Sequence, residues 1–83
     1  MKDPEYIQKF KMFLDELDVA DFVEIILLLP YEDIKKLALD RIRQGHSKWG
    51  DSLMNRPVED NHCEAMEEVA DFLVYTFAIN EHE

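Results

Sequence analysis

The sequence predicts an all-α fold, a small bundle of about four helices with a long final one, and three observations carry that reading. Apolar residues recur at spacings of three and four, with no alternating pattern of the kind that marks a strand. Gly45, Gly50 and Pro57 fall in close succession, so turn chemistry is concentrated in one loop, placed at residues 45–59. With 83 residues, 47% of them apolar, the chain is long enough for one domain (1–83) and too short for two. A chain of this size buries only about 60% of its unfolded surface, so its core is marginal and self-association is a ready way to bury more.

Asp3-Pro4-Glu5 reads as a helix start, with a capping carboxylate, a proline at the first helical position and an acid in the first turn. Tyr6, Phe10, Phe13, Leu14 and Leu17 then form one apolar stripe, which predicts a first helix over 4–17. Asp18 or Asp21 can cap a second helix over 19–29, apolar nearly all round and therefore expected to be buried, with Pro30 ending it. A third helix over 32–44 carries Ile34, Leu37, Ala38 and Ile42 and ends at Gly45, taken as its cap. Asp60 or Asn61 caps the final helix, 60–80, which spans roughly 30 Å. Long loops in small domains are usually functional or mobile, which draws attention to 45–59.

Nineteen acids against nine Lys and Arg give a net charge of −10, which opposes nonspecific binding to nucleic acid or to an anionic membrane and favours cations or a basic protein surface. The charge is uneven. Residues 30–58 hold Lys35, Lys36, Arg41, Arg43, Lys48 and Arg56, whereas residues 59–83 hold acids and no Lys or Arg. Cys63 is alone, so no internal disulfide can form, and the start of the chain is charged where a signal peptide would be apolar. The longest apolar run, Ile25 to Leu29, is far short of the ~20 residues that cross a bilayer. These features predict a cytoplasmic protein without membrane contact.

On the final helix Met66, Val69, Ala70, Leu73 and Phe77 share one face, and Glu64, Glu68 and Asp71 line the opposite face with Glu67 beside them. Carboxylates at this spacing repel one another and favour protonation or a bound hard cation such as Mg²⁺ or Mn²⁺. The plainer reading is that acids near a helix N-terminus complement its dipole in solvent. The acidic line runs on into Phe72, Tyr75 and Ile79, so the C-terminal half is apolar on both sides. A second copy of the chain is the economical cover, and these three residues are its expected contact.

The stretch Glu64-Ala65-Met66-Glu67-Glu68-Val69-Ala70-Asp71-Phe72-Leu73-Val74-Tyr75, preceded by Gly45-His46-Ser47-Lys48-Trp49-Gly50-Asp51, resembles the all-α nucleoside triphosphate pyrophosphohydrolases of the MazG-like superfamily, particularly the short versions that phages carry. The resemblance covers roughly residues 41–79. It implies Mg²⁺ held over a triphosphate by EExxE and ExxD motifs, with water releasing pyrophosphate. Glu68 and Asp71 match ExxD, or Glu67, Glu68 and Asp71 match EExxE with the last acid shortened. The family uses two acidic motifs on two helices and this chain has one. The resemblance therefore implies either a symmetric dimer that supplies the second set or a non-catalytic relative. If the chain is phage-encoded, its location is the host cytoplasm.

Arg41, Lys48 and Arg56 are candidate phosphate clamps, as Arg43 is, although the same cations can pair with carboxylates in so acidic a chain. Trp49 has two readings, a plate on which a base stacks or a plug that folds the loop onto the bundle. Cys63, beside the apolar face, reads as a buried filler, and the adjacent His62 and Cys63 point about 100° apart and make a poor metal pair. An alternative to a nucleotide hydrolase is a small acidic helical protein that binds and inhibits another protein, as a phage-type inhibitor or DNA mimic. Its supports are the charge, the length and the missing second motif.

Overall fold

In the computed structural model, which describes residues 3–82, the chain forms five helices, α1 (Glu5–Glu16), α2 (Val19–Leu27), α3 (Tyr31–Trp49), α4 (Ser52–Asn55) and α5 (Val58–Glu81). No strand occurs among the described residues. No helix is long and apolar enough to cross a membrane among them.

The N-termini follow local chemistry. α1 begins one residue later than the capping reading of Asp3 requires, because the Pro4 carbonyl accepts the first helical bonds from the N–H groups of Ile7 and Gln8 at 3.1 and 3.2 Å. Asp3 contributes its own carbonyl, which accepts from Gln8 Nε2 at 3.0 Å. At α2 the two candidate caps act together. Asp18 Oδ1 accepts from the Asp21 N–H at 2.8 Å, and Asp21 Oδ2 accepts from the Asp18 N–H at 3.3 Å, a reciprocal pair that satisfies two otherwise orphaned donors.

The segment 45–59, expected to be a loop, is mostly helical, and five helices replace the four anticipated. α3 runs through Gly45 to Trp49, because a glycine costs only about 1 kcal/mol inside a helix and stops one only where the backbone turns left-handed. That turn falls at Gly50, with φ 63° and ψ −135°, whose N–H donates to the His46 carbonyl at 2.8 Å. His46 and Lys48 in the last turn of α3 complement its dipole. α4 is a single turn. α5 then begins at Val58 directly after Pro57, so neither Asp60 nor Asn61 is its cap; Glu59 and Asp60 sit in the first turn instead, where the dipole favours acids. Its 24 residues give a rod of about 36 Å.

Aromatic packing draws α1, α2 and α5 together. Phe77 of α5 lies edge-on to Phe10 at 5.2 Å between ring centres and tilted to Phe13 at 5.7 Å, and Phe22 of α2 meets Phe72 edge-on at 6.4 Å. Each such pair contributes about 0.5–1.5 kcal/mol beyond the area it covers. Lys9 ties α1 to α5 at its margin, 3.8 Å from Glu81. α3 packs on α4. Consequently no described residue is fully buried; α2, expected to be buried, leaves Leu28 at its end 85% exposed, and Cys63, expected to be a core filler, is exposed. The accessible surface is 7672 Å², against roughly 5,200 Å² for a compact monomer of this mass. The radius of gyration is 16.3 Å, against about 12 Å for a compact domain of this length.

The two glycines predict opposite outcomes. A Cβ at Gly45 meets nothing within 4 Å, so Gly45→Ala stabilises the chain by about 0.5–1 kcal/mol. Gly50→Ala forces a side chain into its left-handed turn and destabilises by about 1–3 kcal/mol. Urea unfolding of both variants followed by circular dichroism checks the pair, and equal signs would contradict it. By the same measurement Asp18→Ala loses about 1 kcal/mol with its cap.

Candidate functional site

The last two turns of α3, the left-handed turn at Gly50 and the single turn of α4 fold back on one another and enclose an open groove of ≈ 650 Å³. Arg41, His46 and Trp49 line it from α3, Leu53 from α4, and Arg56 from the segment that leads into α5. Gly45 faces the same space, and its missing side chain widens the groove near the C-terminal end of α3. A small anchor holds α4 in place: Asn61 Nδ2 donates to the Leu53 carbonyl at 3.4 Å, while Asn61 Oδ1 is buried with no hydrogen-bond partner.

Three of the four residues singled out as substrate contacts, Arg41, Trp49 and Arg56, therefore share one groove. The fourth, Lys48, holds its ammonium 4.8 Å from the centre of the Trp49 ring, a cation–π contact at the groove's edge. Trp49 is 65% exposed, so it does not plug the chain onto a bundle; its ring is a wall of the groove. His46 Nε2 lies 3.3 Å from Asp51 Oδ1, which links the end of α3 to the turn before α4.

The groove also touches the acidic helix. Arg56 Nη2 lies 3.8 Å from Glu64 Oε1, so one guanidinium faces both the groove and the first acid of the α5 stripe. Glu64, Glu67, Glu68 and Asp71 are all exposed on α5. Their oxygen chemistry suits a hard cation, which commonly takes one or two protein carboxylates and completes its shell with water and phosphate. Within one chain no group of three or more His, Cys, Asp or Glu side chains comes together as a metal site among the described residues. The stripe thus offers neighbouring carboxylates rather than a closed cage.

Of the residues expected at a subunit contact, Phe72 is half-buried against Phe22 of its own chain, whereas Tyr75 and Ile79 are exposed. The sequence reading missed the contributions of His46 and Leu53 and the role of Asn61. Their signal was present in Asp51-Ser52, a helix-starting pair inside the supposed loop, with an apolar pair directly after it. Comparison of the chain with protein-family models, with curated proteins and with solved structures finds no match.

Proposed function

We propose that this chain is a MazG-like protein that binds nucleoside triphosphates with Mg²⁺ and, in an oligomer, hydrolyses them to release pyrophosphate. The observation that supports this reading is the juxtaposition of an aromatic wall, three cations and an acidic stripe: Trp49, Arg41, Lys48 and Arg56 lie in or beside one groove, and Arg56 reaches Glu64. In this reading the base stacks on Trp49, a sequence-tolerant contact, and the guanidinium groups of Arg41 and Arg56 grip phosphate oxygens in their fork geometry. Glu64, Glu67, Glu68 and Asp71 are the carboxylates available to a divalent ion. When bound, that ion supplies charge neutralisation of the phosphates and an activated water. The resemblance of residues 41–79 to the superfamily supports the same reading, and the partner copies account for the second acidic motif that one chain lacks.

The second reading, a small acidic protein that docks on another protein, is favoured by a different observation, the apolar surface that the helices leave uncovered together with the charge of −10. Binding measurements separate the two readings. Trp49 is the only tryptophan, so its fluorescence reports directly on the groove. Titration with deoxynucleoside triphosphates in Mg²⁺ should give a saturable change, and Arg56→Ala should weaken it by about 10- to 100-fold, as expected for loss of a hydrogen bond to a charged group. No saturable change for any triphosphate, and no pyrophosphate release, would leave the docking protein as the reading.

The metal has its own test. Mn²⁺ or Mg²⁺ should raise the melting temperature, with a gain that grows with the logarithm of metal concentration, because the ion binds the folded chain only. Glu68→Gln keeps the size, removes the central charge of the stripe and should abolish the gain while leaving the metal-free chain equally or slightly more stable. A response that NaCl reproduces and Glu68→Gln leaves intact would be screening alone. Titration calorimetry with Mn²⁺ on both chains reads the difference.

A further inference from the structure

The outward side of α2 is apolar, and every charge along it is negative. Phe22 and Ile25 are half-buried, Phe22 against Phe72 of α5, whereas Val19 is 79% exposed, Leu27 76% and Leu28, just past the helix, 85%. At about 100° per residue, Val19, Val23 and Leu27 form one ridge along the exposed side, and Ala20, Glu24 and Leu28 form the neighbouring row. A furrow runs between the two rows. Glu24 stands at its middle, between Leu27 and Leu28 around the helix, and the reciprocal cap of Asp18 and Asp21 adds charge at its N-terminal end. Between Lys11 and Lys35 the chain carries Asp15, Glu16, Asp18, Asp21, Glu24, Glu32 and Asp33 and no Lys, Arg or His. Lys35 itself is engaged on α3, 3.1 Å from Glu32 and 4.8 Å from the centre of the Tyr31 ring.

We propose that this face docks a cationic amphipathic helix of another protein, with an apolar ridge of that helix laid in the furrow of α2 and a Lys or Arg set on Glu24. Shape and charge each contribute to the choice of occupant. An exposed apolar patch with polar groups beside it marks an interaction site, and a helical face of this kind takes a partner helix through apolar residues at i, i+3, i+4 and i+7. Charge then selects the sign. An acidic helix or an anionic lipid surface meets repulsion from Glu24, Asp21 and Asp18. Glu24 lies at the middle of the face, so a two-fold pairing of α2 with α2 sets Glu24 against Glu24. A cation is the complement, and between the flanking leucines its pair with Glu24 is screened less than one in open solvent. No residue of the Arg41–Trp49–Arg56 groove takes part, so the contact stands or falls apart from nucleotide binding there, and it gives a docking protein its surface.

Two synthetic peptides test the contact, each with leucine at i, i+3, i+4 and i+7 spacing, and with lysine at the remaining positions of one and glutamate at those of the other. Fluorescence anisotropy of the labelled peptides in about 150 mM NaCl should show saturable binding of the lysine peptide and none of the glutamate peptide. Glu24→Lys, and separately Leu27→Gln with Leu28→Gln, should each weaken that binding by about tenfold or more. All three side chains are exposed, so circular dichroism and the melting temperature of these variants should match the wild type. Asp40→Lys makes the same change in net charge at an exposed position of α3 and should leave the affinity within about twofold. No saturable binding of the lysine peptide overturns the proposal, as does equal binding of the glutamate peptide or a leucine variant that binds as the wild type does. An affinity that Asp40→Lys lowers as much as Glu24→Lys overturns it too, since net charge alone would then be the cause. So does a wild-type oligomer in sedimentation velocity that the leucine variant dissolves, because a second copy would then be the occupant.

Discussion

Three phenylalanine rings hold the two ends of this chain together. Phe77 sits against Phe10 and Phe13, and that cluster is the main packing of α1 on α5. Everything else about the molecule follows from how little that cluster covers. It fixes α1 on one half of the α5 stripe and, through Phe22 and Phe72, steers α2 to the same end. It leaves α3 and the first half of α5 to be held by connections rather than by a core. A surface larger than a compact chain's is the direct result.

The helical periodicities were legible because each stripe repeats several times, and repetition is what sequence pattern measures best. The reciprocal cap of α2 was legible for a different reason: Asp18 and Asp21 stand at the one spacing where each side chain reaches the other's backbone. Gly45 misled because a glycine permits a helix to end without requiring it, and the requirement was met five residues later at Gly50. Pro57 was treated as part of a loop, although a proline is also well suited to stand at the threshold of a helix. The exposure of Cys63 and of the α2 apolar residues could not be read from the wheel. A wheel gives the direction of a side chain but not whether another helix arrives to cover it.

The candidate site was legible as a set of residue types and not as a place. Arg41, Trp49 and Arg56 are spread over sixteen positions of sequence, and only the fold-back at Gly50 and the one turn of α4 bring them around one space. Glu64 joins them because Arg56 stands just before α5, within reach of a side chain two turns into that helix. The α5 acids were legible as a stripe. Their separation from any third ligand was not, since that depends on which helices of the same chain lie opposite.

The distance in sequence between its members gives the phenylalanine cluster a further meaning. Phe10 and Phe77 belong to α1 and α5, and every other helix lies between them, so the contact closes a long loop whose entropic cost it must offset. A chain cut before Phe77 therefore leaves the apolar stripe of α1 without its partner and in water, and such uncovered surface makes incomplete chains prone to aggregate.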